Sequence, residues 1–444
     1  MKNRVCCFFS LICIVLAISD VKGQGGQWAA LGGGLNDKCL SLACGAGSIV
    51  YAGGSFSDAG GIGAANIARW DGANWSALGD GVNGWCYAIA VDDSGNVYAG
   101  GTFAKAGGID VNYIAKWDGN TWSALGNGLG GWCYDIKLDA SGQLYACGTF
   151  TTAGGNTANR IAKWDGVSWT SLGGGLDDVC NAIAIDRQGM VYAGGRFTQA
   201  GNQPAAYIAR WNPADTTWSA LGYGLNDDCE SLLAGSDGNL YAAGIFTMVD
   251  SISTSSIGRW DGNAWHTMAS GLGYQQHTYA LGMDSSGTVF AGGSFYAISG
   301  LAVKYITRWS GSEWVGSGVG FSNSCRALAV DQQGVLYAGG EFANAGGGAV
   351  NYVARWEETM VGVDNVPGQK NGITVFPVPT SGEIWLQGDV DFGTDIRLYD
   401  VQGKLVNRQR YDGNVLDLSE VKAGAYWLKI GSGSRAQTVK VVLH

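Results

Sequence analysis

The stretch NVYAGGTFAKAGGIDVNYIAKWDGNTWSALG, residues 96–126, decides the fold. It is rich in Gly, aromatic and small apolar residues, a composition that suits half-buried strands and not helices. NVYAGGTF (96–103), YIAKWDG (113–119) and TWSALG (121–126) each predict a short strand. Asp118-Gly119 supplies the left-handed turn that a tight hairpin needs. Immediately upstream, CYAIAVD (86–92) predicts the first strand of the unit, joined to the second by the turn Asp93-Ser94-Gly95. The Gly-Gly pair permits close approach of a neighbouring backbone.

The unit recurs. Its YAGGxF anchor falls at Tyr51, Tyr98, Tyr145, Tyr192, Tyr241, Phe290 and Tyr337, spaced by 47, 47, 47, 49, 49 and 47 residues. Its R/K-Trp anchor falls at Trp70, Trp117, Trp164, Trp211, Trp260, Trp309 and Trp356 with the same spacings. A fixed period of this size means a propeller or a solenoid. The W-x-x-LG series runs Trp28, Trp75, Trp122, Trp169, Trp218, Trp265 and Trp314, so it begins before the first YAGGxF and is missing after Trp356. The segment around Trp28-Ala29-Ala30-Leu31 is therefore expected to complete the final unit, which closes a ring and hides its edges. A solenoid would need atypical caps at both ends, and neither end shows one. The expected architecture is all-β, with a seven-bladed β-propeller over residues 24–358, a linker over 359–372 and a second module of short strands over 373–444.

The Gly-Gly pair followed by an aromatic residue and then a Trp resembles kelch-type propellers. The longer IARWDGxxWSALG phrase is similar to repeats of secreted bacterial propellers and of fungal cortical cell-polarity marker proteins. That resemblance implies a fold and a frequent binding role, but no particular ligand. In the second module, FPVPTSG (376–382), LYDVQGKLV (398–406), LDLS (416–419), GAYWLKI (424–430) and the terminal lysine-bearing strand resemble the Bacteroidetes type IX secretion (type A) C-terminal sorting domain. Val378 stands where that family commonly has Asn between the two prolines. The resemblance implies a small Ig-like β-sandwich recognised by the outer-membrane secretion machinery and commonly removed on export. The cargo is then released or tied to surface lipopolysaccharide. An ordinary adhesion sandwich is the other reading of the module.

The N-terminus fits export. Lys2 and Arg4 precede the apolar stretch Val5–Ile18, and Val21-Lys22-Gly23 ends a removable signal peptide, residues 1–23. No other stretch reads as a transmembrane anchor. Removing that segment takes three of the 27 basic and one of the 37 acidic residues, leaving a net charge of −12. Such a chain is a poor partner for nucleic acid, which is bound by clustered Lys and Arg. The expected location is the cell surface or the medium, by way of the periplasm.

Candidate chemistry is sparse. Cys39, Cys86, Cys133, Cys180, Cys229 and Cys325 share one repeat position, where the remaining unit has Thr278; Cys44 and Cys147 are extra. The repeated cysteines open the innermost strand, and buried thiols, some disulfides or a metal ring are the readings open. Histidine is confined to His266, His277 and the terminal His444 in the mature chain, which removes most nucleophile–base and metal-hydrolase schemes. Paired histidines of a galactose-oxidase-like copper site and the Trp of sialidase-like Asp boxes are both missing. No cofactor and no metal are expected. Basic residues at Arg69, Lys116, Lys163, Arg210, Arg259, Arg308 and Arg355, and acidic ones at Asp92, Asp139, Asp186, Asp284 and Asp331, repeat with the units. Repetition points to structural ion pairs or turn hydrogen bonds.

The loops entering the inner strands do vary. They read NDKC (36–39), NGWC (83–86), GGWC (130–133), DDVC (177–180), NDDC (226–229), YQQHT (274–278) and SNSC (322–325). By propeller geometry they crowd one mouth of the central channel. Trp85, Trp132, Tyr274 and Phe321 are candidates to stack on a sugar or apolar group. Asp37, Asp177, Asp178, Asp227, Asp228, Gln275, Gln276, His277 and Asn323 are candidates for hydrogen bonding. A merely polar, tolerant loop surface is the alternative. The leading expectation is a non-catalytic propeller that binds an extracellular glycan or protein. A carboxylate-dependent polysaccharide hydrolase or lyase and a structural surface or matrix protein are the alternatives.

Overall fold

A computed structural model of the chain describes residues 26–358 apart from 255, 269–275 and 299–300, together with 374–376, 383–387, 394–400, 404–411, 416–422, 424–431 and 437–443. The expected signal peptide, 1–23, and the expected linker, 359–372, lie outside the described residues. Two compact units meet in sequence between Thr359 and Met360.

The first unit is a β-propeller, and its described residues form seven four-stranded antiparallel sheets. The second sheet stands for the rest, with Cys86–Val91, Val97–Gly101, Ile114–Trp117 and Trp122–Ala124 side by side from the inside out. The seven inner strands touch in chain order, and the last, Cys325–Val330, returns to the first, Cys39–Cys44. The strand Gly26–Ala30 pairs antiparallel with Val353–Glu358, Trp28 opposite Trp356, so the last sheet is built from both ends of the unit. Each repeat also carries a two-stranded hairpin that was not legible as an element in the sequence. In the second repeat, Lys105–Ala106 pairs with Ile109–Asp110 through Gly107 and Gly108, at φ 55° and 84°.

Neighbouring sheets are joined by the outer tryptophan. Trp122 Nε1 donates to the Leu78 carbonyl of the preceding repeat at 2.7 Å, and Trp75, Trp169, Trp218, Trp265 and Trp314 make the same bond at 2.7–3.0 Å. At the closure, Trp28 donates to Ser317 O across 289 residues at 3.2 Å. Each indole buries a large apolar area and satisfies its one donor.

The Gly-Gly pair has two separate steric causes. The second Gly lies under a carbonyl, since a Cβ on Gly101 would stand 1.9 Å from Trp85 O, and the equivalent distances at Gly54, Gly148, Gly195, Gly244, Gly293 and Gly340 are 1.9–2.1 Å. The first Gly faces the next sheet, where a Cβ on Gly100 would stand 2.7 Å from Cys133 Sγ. The repeated cysteine is thus a buried packing atom in the wall between sheets.

The C-terminal unit holds a three-stranded sheet (Thr374–Phe376, Glu383–Gln387, Leu416–Asp417) and a four-stranded one (Leu405–Arg410, Asp395–Asp400, Gly424–Ile430, Gln437–Leu443). Ile384 and Leu416 from the first sheet share one core with Ile396, Leu398, Leu428 and Ile430 from the second. The alternation of Leu428 and Ile430 inward with Trp427 exposed is the period-2 pattern of a half-buried strand.

Candidate functional site

All seven inner strands carry the same bulge. In the second sheet Cys86 pairs with Gly101 and Ala88 with Gly100, so Tyr87 is the extra residue. The same shift occurs around Leu40, Tyr134, Asn181, Glu230, Tyr279 and Arg326. A bulge re-aims the side chain it carries, and all seven of these residues line a cavity of about 520 Å³ where the inner strands converge. The bulge also explains the second Gly: the carbonyl just before the cysteine turns over it and accepts the next amide, as Trp85 O does from Thr102 N at 3.0 Å.

The ring is chemically lopsided. On one side Trp85, Tyr87, Tyr134 and Trp132 form a run of aromatic rings, with centroids 6.0, 5.6 and 6.4 Å apart in that order. Trp85 and Trp132 are about half exposed at its ends. Elsewhere on the ring the Arg326 guanidinium lies 3.9 Å over the Tyr279 ring and donates through Nε and Nη2 to Glu341 Oε1 at 3.1 and 2.9 Å. His277 stacks on Tyr279 at 5.4 Å. Burial, and then the neighbouring Arg326, hold its imidazole below the usual range. Arg196 pairs with Asp228 at 2.9 Å. Glu230 sits within the field of Arg196, Arg326 and Asp228, and burial, followed by the Asp228 charge, pushes its carboxyl up. The cavity therefore offers aromatic faces, a carboxyl group and guanidinium donors to one ligand.

None of the described loop residues singled out from the sequence is among the residues that line the cavity. Trp85, Trp132, Asp228 and His277 each touch a lining residue, as just described. Asp177 is engaged by the Thr198 and Gln199 amides at 2.9 Å each and by the Thr198 hydroxyl at 2.9 Å. Asn36, Asn83 and Asn226 staple the same loop in their own repeats, and Gln276 reaches the Tyr296 amide at 3.2 Å. Asp37, Asp178, Asp227 and Asn323 accept from the amide of the following residue at 2.7–2.8 Å, and Asp37 also accepts from the Ser55 hydroxyl at 3.1 Å. Tyr274 and Gln275 lie outside the described residues. Phe321 is a correction. It is buried, stacked on Phe342 at 4.2 Å and against Trp28 at 4.7 Å, because it takes the core position that Leu35 and Val82 hold elsewhere.

Of the two readings of the acidic series, turn hydrogen bonds are what the structure displays. Asp186 accepts from the Gln188 and Met190 amides at 2.9 Å each and from the Tyr192 hydroxyl at 3.0 Å, and Asp331 does the same with Gln333, Val335 and Tyr337. All eight described cysteines are free thiols. Among the described residues, no three His, Cys, Asp or Glu side chains are grouped to hold a metal ion, and no helix is long and apolar enough to cross a membrane.

The sequence reading missed the bulge residues themselves. The available signal was variation: after a nearly constant cysteine come Leu40, Tyr87, Tyr134, Asn181, Glu230, Tyr279 and Arg326, mostly polar or aromatic.

The fold matches known propellers. The WD40 β-propeller domain of Doa1 is 12% identical, with a TM-score of 0.50, 76% of this chain and 98% of that one covered. U3-55K is 13% identical, with a TM-score of 0.52 over 74% of this chain and 98% of its own. YCF48, solved bound to a D1 peptide, is 13% identical, with a TM-score of 0.50 over 76% and 96%. At such identities the likeness concerns the fold alone. No curated protein matches the sequence. Residues 374–444 match the secretion system C-terminal sorting domain family. Fold and tail together define the class: an exported β-propeller. The tail is a type IX secretion sorting domain, which hands the chain to that machinery for delivery to the cell surface or the medium.

Proposed function

We propose that this chain is a non-catalytic binding or adhesion propeller, led out by a signal peptide, and that it takes an extracellular glycan at the mouth of its channel. The kelch-like repeats are consistent with such a scaffold, although a fold does not choose a ligand. The observation that carries the reading is the aromatic run Trp85–Tyr87–Tyr134–Trp132 on a ring that also presents Glu230 and Arg326. Flat apolar faces of a sugar stack on such rings, and its hydroxyls pair with carboxylates and guanidinium groups. The half exposure of both tryptophans leaves their faces open to a ligand.

The test is a glycan array and polysaccharide pull-down with the mature full-length chain, followed by the Trp85→Ala/Trp132→Ala double variant. Specific retention that the double variant loses supports the reading. Retention unchanged in that variant would remove the site. Release of reducing or unsaturated sugar from any retained polysaccharide would instead favour a hydrolase or lyase.

A further inference from the structure

Each interface between neighbouring sheets repeats one small contact, and one interface departs from it. A Cβ placed on Gly53, Gly100, Gly194, Gly292 or Gly339 would stand 2.5–2.7 Å from the Sγ of the inner-strand cysteine in the next sheet. It would stand 3.0–3.2 Å from that cysteine's Cβ. Five interfaces therefore match a Gly to a Cys. By the repeat, Ala243 and Thr278 hold the two places at a sixth. Between the third and fourth sheets the Gly is replaced by Cys147, and the facing residue is Cys180. Both thiols are fully buried, and Cys147 Sγ donates to the carbonyl of Cys180 itself at 3.4 Å.

A disulfide wants Cβ atoms about 3.5–4.5 Å apart and sulfurs about 2.05 Å apart. The Cβ spacing that the repeat imposes here falls just short of that window, and a real Cβ at 147 must push its neighbour away by a few tenths of an ångström. That displacement moves the pair toward the window. In this structure the two sulfurs are unbonded, Cys147 Sγ turned to the Cys180 carbonyl and Cys180 Sγ to the Ala182 carbonyl at 3.6 Å, so two thiols share a wall that holds one at each Gly–Cys interface. We propose that Cys147 and Cys180 form a disulfide in the exported protein and cross-link the third and fourth sheets of the propeller.

The oxidant is a disulfide of the exchanging kind, a protein or glutathione disulfide met outside the cytosol. One thiolate attacks it to give a mixed disulfide, and the second cysteine displaces the oxidant's remaining thiol. The pair loses two protons and two electrons, and the oxidant's disulfide is reduced to two thiols. Because both sulfurs are buried, the bond must form before the interface closes. Once closed, the interface shields it from reduction.

The experiment refolds the mature full-length chain with reduced and oxidised glutathione, alkylates it under denaturing conditions and weighs it. The result expected is six alkylated cysteines out of eight, with one proteolytic fragment joining residues 147 and 180. Refolding in reductant should give eight. Eight alkylated cysteines after the glutathione refold, or a bond between other residues, would overturn the proposal. Cys147→Gly restores the residue present at five other interfaces. It should leave all seven remaining cysteines alkylated and should melt roughly 5 °C below the oxidised wild type, with no response to reductant. Should that variant fail to fold, the wild-type mass still decides.

Discussion

The inner-strand cysteine and the residue after it are chain neighbours with opposite fates. The first faces the wall between sheets and is Cys in six repeats of seven. The second is pushed out by the bulge into the channel and is Leu, Tyr, Tyr, Asn, Glu, Tyr and Arg in turn. Every wall must solve the same packing problem, so its solution recurs. A channel residue meets its neighbour in pairs that differ around the ring, as Tyr87 meets Tyr134 and Arg326 meets Tyr279, so no single solution has to recur and it is free to follow a ligand. In a repeat protein, constancy marks stability and variation marks the site. The comparison can be broken by any wall residue whose loss is harmless, or any channel residue whose loss unfolds the ring.

The largest effect is expected at the second Gly. Gly101 has no positive φ that would demand Gly, so the whole cost of Gly101→Ala comes from a Cβ at 1.9 Å from the Trp85 carbonyl. A backbone oxygen cannot rotate aside as a side chain does, and the loss should be about 3–5 kcal/mol in denaturant unfolding. A value near zero would mean that the bulge yields easily and that the comparison has no steric basis. Trp122→Phe comes next. It keeps most of the apolar area but loses part of the ring contact and takes the 2.7 Å indole donor from the buried Leu78 carbonyl, which is left with only the Gly81 amide at 3.1 Å. A cost of about 1–2 kcal/mol is expected by the same measurement.

Much of the wall was legible from the sequence because its causes recur with the period: the Gly-Gly pair, the cysteine and the Trp at the outer strand announce themselves seven or nearly seven times. The short hairpin of Lys105–Ala106 and Ile109–Asp110 was not legible, because two-residue strands carry no periodicity of their own. The site was half legible. Variation in the entry loops led to Trp85 and Trp132, which stand at the end of the aromatic run. It did not lead to Tyr87, Tyr134 or Glu230, because a bulge is a one-residue shift in register between two strands, and neither strand's sequence displays the shift by itself. Phe321 shows the reverse error: an aromatic residue beside a varied loop was really the core residue that staples the loop down.

A smaller effect belongs to the tyrosine of YAGG. Tyr192 donates its hydroxyl to Asp186 at 3.0 Å, yet the sixth sheet manages with Phe290 at this position. Tyr192→Phe should therefore cost only about 0.5–1.5 kcal/mol. Burial, and then the charge of Asp186, push the Tyr192 phenol up to about 12, and burial with Asp139 does the same to Tyr145. A folded-state value above the ordinary one near 10 means that the stabilisation is complete below that pH and is lost as pH rises toward 12. Unfolding midpoints should fall across that interval, in step with phenolate absorbance. Phenolate that appeared at its ordinary pH while the ring stayed folded would show that these tyrosines are not held as described.

The smallest effect on stability should come from the channel, where binding should suffer most. Tyr134→Ala and Glu230→Gln remove groups that line a water-accessible cavity and leave every wall contact in place. Each should change unfolding free energy by no more than about 0.5 kcal/mol. If a glycan stacks along the aromatic run, Tyr134→Ala should weaken it by roughly fivefold or more, since an anchor of this kind is worth more than about 1 kcal/mol. Glu230 adds a pH signature. Its carboxyl is pushed up, so a ligand that needs the ionised form should be lost at a higher pH than an ordinary Glu would allow, and Glu230→Gln should flatten that dependence. The opposite pattern, a Tyr134→Ala protein that melts as early as Gly101→Ala yet binds as before, would show that the bulge residues are one more layer of packing. Their variation would then reflect tolerance at the axis, with no ligand behind it.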